Sequence, residues 1–231
     1  MKILAVGAHP DDVEFGCAPV LIQEIAGGHG VHILVCSKGE AATCGTPEER
    51  CKEVREAADL MGASVDFLDL GGDCRIEYGS KNRTLMAAEI RTFQPQVVLA
   101  PLTDENQHPD HTTVGRLTRD AARLARYGGF EDLKPLAPHA IGQLYFYSIT
   151  QAANDRSPDV VIDVTPAHEK WEAAIACHRS QMRTRAYPEL VLARARTLGA
   201  SIGVEYAVGL WTNDPIRLRS LADVTLSSRH F

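Results

Sequence analysis

Apolar positions in the first two-thirds of the chain come in two alternating kinds. Short unbroken runs at residues 2–8 (KILAVGA), 31–37 (VHILVCS), 65–70 and 97–101 (VVLAP) are rich in strand formers and leave no polar face. Such runs read as strands buried on both sides. Between them, residues 15–26, 47–61, 85–93 and 112–126 carry apolar side chains at helical spacing, with Pro47 at a first helical position. Beyond residue 127 the pattern loosens. Residues 143–149, 160–164 and 207–211 read as strands, and 168–181 and 190–198 as helices. Segments 71–79 and 127–138 read as loops.

Strands apolar on both faces and separated by helices predict an α/β fold. It is a Rossmann-like, mostly parallel sheet with helices on both faces, in three layers. The 231 residues fit one domain spanning 1–231, with no internal repeat. A domain of that size needs no disulfide or structural metal to stay folded, so a metal would be there for chemistry.

Composition narrows the function classes. The net charge of −6, with no basic run, argues against nucleic acid as partner. No apolar run approaches the roughly 20 residues of a membrane span, and the apolar stretch 3–8 is too short for a signal-peptide core. The six cysteines form no CxxC pair, so they read as small buried hydrophobes in a reduced, cytoplasmic setting.

Ligands of open parallel sheets bind beyond the carboxyl ends of the strands. The first strand ends in Ala8-His9-Pro10-Asp11-Asp12, and the fourth leads into His108-Pro109-Asp110-His111. Either cluster alone reads as a turn or a helix cap, and Asp12 could simply cap the next helix. Two histidine-carboxylate clusters at two strand ends form metal-site composition. Two imidazoles and one carboxylate suit zinc, which lowers the pKa of a bound water to about 7. A neighbouring carboxylate that is not a ligand can then take a proton.

At these residues the chain resembles a known family. Ala8-His9-Pro10-Asp11-Asp12 with Glu14 and Gly16 is similar to the AHPDDxExG signature of PIG-L/LmbE-like deacetylases, and His108-Pro109-Asp110-His111 to their HPDH motif. Ser37-Lys38-Gly39-Glu40, the helix carrying Arg50, Glu53, Ala57 and Leu60-Met61-Gly62, and His178-Arg179-Ser180-Gln181 also match. Ile202-Gly203-Val204-Glu205-Tyr206 looks like the bacillithiol-pathway members, which deacetylate N-acetylglucosaminyl malate. Ala207-Val208-Gly209-Leu210 and the segment 39–47 depart from those members.

The resemblance implies zinc on His9, Asp12 and His111, with iron(II) or cobalt as alternatives. It implies Asp11 as general base, His108 as a protonated imidazole stabilising the oxyanion, and Asp110 orienting an imidazole. Arg50 would contact sugar hydroxyls or an aglycone carboxylate. The implied substrate is a small acetylated sugar, and the implied assembly a homo-oligomer, trimer or hexamer.

Single residues carry plainer readings too. Arg50 could be a surface ion pair near Glu53. Glu40 could line the pocket or stand as an exposed loop carboxylate, and His178 fits a packed, hydrogen-bonded histidine. The competing hydrolase readings are a thiol-sugar conjugate amidase and a chitooligosaccharide deacetylase. From other classes come a non-catalytic zinc module and a nucleotide-binding module. The turn Gly7–Asp12 lacks G-x-G-x-x-G, and two carboxylates there would repel a pyrophosphate.

Overall fold

The structure is a computed structural model; it describes residues 1–104, 108–149, 156–183, 186–223 and 227. Among the described residues, seven strands form one sheet in the order β3-β2-β1-β4-β5-β7-β6. They are β1 (Lys2–Gly7), β2 (Gly30–Val35), β3 (Ser64–Phe67), β4 (Val97–Pro101), β5 (Gln143–Tyr147), β6 (Val160–Asp163) and β7 (Ala207–Thr212). The first five pair in parallel, while β7 runs antiparallel to both β5 and β6. This is the mostly parallel α/β sheet that the apolar runs predict.

Strand periodicity builds two cores. On β1, Ile3 and Ala5 face one side and Leu4 and Val6 the other, and all are buried. The first side is covered by α1 (Asp12–Gly16), α2 (Ala18–Ala26), α3 (Pro47–Met61), α6 (His168–Ile175) and α7 (Tyr187–Ile202), through residues such as Leu21, Met61 and Trp171. The second is covered by α4 (Ser80–Phe93) and α5 (Pro109–Ala125), through Met86, Ile90, Val114 and Leu117. Three layers result.

Several boundaries move, each for a local reason. The expected helix over 15–26 is two helices, broken at Cys17, whose φ of −146° is not helical. Pro19 lacks the N–H that would continue the first helix, and it suits the opening turn of the second. The helix expected from 112 starts at Pro109, and the one expected from 85 starts at Ser80. Helix α6 stops at Ile175, leaving His178 just beyond it. Strand β3 ends at Phe67 and β5 at Tyr147, earlier than the apolar runs imply.

Gly115 fixes how closely α5 approaches β4. A Cβ there would lie 2.2 Å from the Pro101 carbonyl oxygen and 3.1 Å from that of Leu102. Backbone cannot swing aside as a side chain can, so Gly115→Ala is expected to destabilise by roughly 1–3 kcal/mol. Denaturant unfolding at constant m-value checks this. An unchanged midpoint would show that α5 has room to shift.

Candidate metal centre and its surroundings

The sheet order changes direction of winding around β1 and β4, which are hydrogen-bonded neighbours. The chain leaves both at their carboxyl ends, so residues 9–12 and 108–111 converge although about a hundred positions apart in sequence. Three buried donors point together. His9 Nδ1 lies 3.2 Å from His111 Nε2, His111 Nε2 lies 3.1 Å from Asp12 Oδ1, and His9 Nδ1 lies 3.6 Å from Asp12 Oδ2.

Asp12 opens α1 without capping it. Its Oδ2 accepts from the backbone N–H groups of Ala8 and His9, at 2.8 and 2.9 Å, and closes the turn backwards. Burial alone would raise its pKa. The charges and hydrogen bonds of His111 and His9 outweigh that and hold it well below the usual carboxylate range.

The other edge of His9 meets two more carboxylates. Its Nε2 is 3.1 Å from Asp73 Oδ1 and 3.3 Å from Asp110 Oδ2. These acceptors place the ring proton on Nε2 and leave Nδ1 free to ligate, as carboxylate–histidine–metal arrangements do. Burial would lower His9. Asp12, Asp110 and Asp73 together push it up to about 12. Three carboxylates around one imidazole call for a positive charge, which a proton or a metal cation can provide. The donor set and its charge both fit a divalent ion on His9, Asp12 and His111.

Asp11 is held in a conformation that L side chains rarely adopt, with φ of 125°. Arg50 secures it. One guanidinium nitrogen, Nη2, donates to the Pro10 carbonyl at 2.7 Å and to Asp11 Oδ2 at 3.1 Å. Arg50 is buried, so it is not the surface ion pair that α3 alone allowed, and its hydrogen bonds go to backbone and to Asp11. Burial pushes Asp11 up, Arg50 pulls it down, Asp12 pushes it up again, and it comes to about 6.

His108 caps α5: its Nδ1 accepts from the Asp110 N–H at 3.2 Å, which places the proton on Nε2. Burial, His9 and His111 push it below the ordinary histidine value. Asp110 and Asp73 pull the other way, and in either protonation state Nε2–H remains a donor toward the cavity. Glu40 is exposed. Its Oε2 accepts from the N–H groups of Lys38 and Asp73, at 3.2 and 2.9 Å, tying two loops together rather than reaching the metal donors.

His178 is buried 3.6 Å from Glu14, and Ser180 donates twice to the Glu53 carboxylate, fastening segment 178–181 to α3. Burial would lower His178, but Glu14 raises it above the ordinary value.

Sequence reasoning missed Asp73 and Cys74. They sit in the loop after β3, also at the carboxyl edge of the sheet, and that position was the available signal. A cavity of about 280 Å³ opens over the donors, lined also by Phe15, Thr43, Gln181 and Tyr187. Among the described residues, no helix is long and apolar enough to cross a membrane.

Fold and site together define an α/β protein with a candidate metal centre at the carboxyl edge of its sheet. Over residues 4–122 the chain matches the family described as GlcNAc-PI de-N-acetylase (PIG-L), and it belongs to that family. A conserved protein of Thermus thermophilus is 32% identical, with a TM-score of 0.81 over 94% of this chain and 96% of that one. The N,N'-diacetylchitobiose deacetylase of Pyrococcus horikoshii is 25% identical, with a TM-score of 0.81 over 90% and 82%. The 4-oxalmesaconate hydratase of Pseudomonas putida is 24% identical, the match covering 95% of this chain and 92% of that protein.

Proposed function

We propose that this enzyme hydrolyses the N-acetyl group of an N-acetylglucosamine-containing substrate, releasing acetate and the free amine, with zinc on His9, Asp12 and His111. The observation that carries this reading is the placement of Asp11. It is a carboxylate outside the donor triad, pinned by Arg50 and facing the same cavity. A zinc ion there would supply Lewis acidity toward the acetyl carbonyl and toward a water.

The chain's own groups do the rest. Asp11 accepts a proton as the water oxygen bonds to the acetyl carbon. His108, through Nε2–H, donates to the carbonyl oxygen as charge develops on it. When the carbon–nitrogen bond breaks, the carboxyl of Asp11 returns its proton to the amine. Asp73 and Asp110 hold His9 in one orientation, and Arg50 holds Asp11.

A second reading, hydration of an unsaturated acid, is favoured by the likeness to the hydratase along nearly its whole length. The family match over residues 4–122 and the likeness to the diacetylchitobiose deacetylase support the sugar.

Acetate release from N-acetylglucosamine, N-acetylglucosaminyl malate, a thiol conjugate of the sugar and diacetylchitobiose tests the proposal. Release from one or more supports it and names the substrate class. No acetate, with loss of the double bond of an enol dicarboxylate, overturns it in favour of hydration.

The base assignment predicts a pH profile. Asp11 works as carboxylate, and its protonated share grows as pH falls through about 6. A nearby cation lowers that value further. Activity is therefore expected to fall on an acid limb with a midpoint at or below about 6, measured as kcat/KM against pH. An acid limb centred well above 7 would point to another base.

A further inference from the structure

The loop after β3 brings a thiol to the rim of the centre. Cys74 Sγ lies 3.4 Å from Asp73 Oδ1 and 3.6 Å from His108 Nε2, and those two atoms are 3.8 Å apart. Zinc bonds to nitrogen, oxygen and sulfur run from about 2.0 to 2.3 Å, so the edges of a tetrahedral donor set run from about 3.3 to 3.7 Å. Two edges of the triangle of Asp73, Cys74 and His108 fall in that range, and the third, at 3.8 Å, lies just beyond it. Asp73 and His108 also fall in a donor group with His9 and Asp110, which overlaps the His9, Asp12 and His111 set only at His9.

The position of Cys74 is unusual. Its φ of 63° is a left-handed conformation in which glycine is the favoured residue. Its N–H donates to Asp110 Oδ2 at 2.7 Å, which tethers the loop with the exposed thiol turned toward His108.

We propose that Asp73, Cys74 and His108 form a second cation site, which takes a soft divalent ion such as Zn²⁺ or Cd²⁺ when metal is in excess. The thiolate selects softer ions over Mg²⁺ or Ca²⁺. The site is the weaker of the two. To ligate through Nε2, His108 moves its ring proton to Nδ1 and gives up the cap on the Asp110 N–H. Cys74 releases its thiol proton to solvent. Asp73 is shared with His9 Nε2, 3.1 Å away. The first site therefore fills first. An ion at the second would occupy the nitrogen assigned above to the developing oxyanion, so excess metal inhibits. That consequence rests on the proposed reaction; the binding does not.

The test loads the full chain with one equivalent of Zn²⁺ and titrates it with CdCl₂. Bound metal is counted by dialysis, and the thiolate-to-metal absorption is followed in the ultraviolet. The wild type is expected to take a second equivalent, with the absorption rising alongside it. Cys74→Gly, whose backbone suits the left-handed position, is expected to lose both. Where turnover can be measured, the zinc concentration giving half inhibition is expected to rise at least about tenfold in this variant. A single equivalent in the wild type would overturn the proposal, as would the same stoichiometry and absorption in Cys74→Gly. Neither result depends on knowing the substrate.

Discussion

Replacing Asp11 with Asn should leave the protein folded and metal-loaded while lowering turnover by about 10²–10⁴-fold, the usual contribution of a positioned base. Asparagine has the same shape, so an oxygen can still accept from Arg50 Nη2, which donates to Asp11 Oδ2 at 3.1 Å. The backbone at φ 125° keeps its other support, because Arg50 also donates to the Pro10 carbonyl. The charge and basicity of the carboxylate are what is lost. Alanine is the poorer test, because it leaves a buried guanidinium without its partner. The measurements are kcat, KM and zinc content of both proteins. A loss below about tenfold with full zinc would remove Asp11 from the role of base.

Asp12→Asn should fail differently, by losing the metal. Its two oxygens are divided between jobs: Oδ2 accepts from Ala8 N and His9 N, and Oδ1 faces His111 Nε2. Asparagine can keep the backbone hydrogen bonds through its oxygen, but it offers an amide where the charged donor stood. Changing even an outer partner of a metal site costs about 10–100-fold in affinity, and loss of a direct ligand should exceed that. The effect is visible without a substrate. Zinc at 100 times its Kd stabilises the folded chain by about 2.7 kcal/mol. At the same zinc concentration Asp12→Asn should show little of that protection in a thermal melt. Equal protection in the variant would move the metal to other donors, and Asp73, His108 and Asp110 would be examined first.

Much of this architecture is legible in the order of residues. Strands β1, β2 and β4 stand out because they are buried on both faces, which leaves unbroken apolar runs. The two histidine-carboxylate clusters are legible because strand ends mark where a parallel sheet holds its ligands. What escapes the sequence is whatever tertiary contacts decide.

The beginning of α5 is one case. His108-Pro109-Asp110 carries site chemistry and also supplies the cap and the first-turn proline, so reading it as ligand loop hid its role as helix start. Arg50 is another. Its helix gives no sign that the guanidinium turns inward to hold a strained Asp11, because that partner lies 39 positions away. Asp73 and Cys74 follow a short strand of half-buried character, and only the folded loop brings them against His9 and His108. Burial and the distant His9 and Asp73 likewise act on the pKa of His108, and none of these is local to its motif.

The most direct test of the central claim compares zinc-loaded and metal-stripped protein on N-acetylglucosaminides, counting free amine and acetate together. The account predicts both products in equal amounts from the loaded protein, none above background from the stripped one, and recovery when zinc is returned. Products formed at the same rate without metal would contradict it. So would a zinc-loaded protein that releases neither product from any N-acetylated sugar but adds water across the double bond of an unsaturated acid.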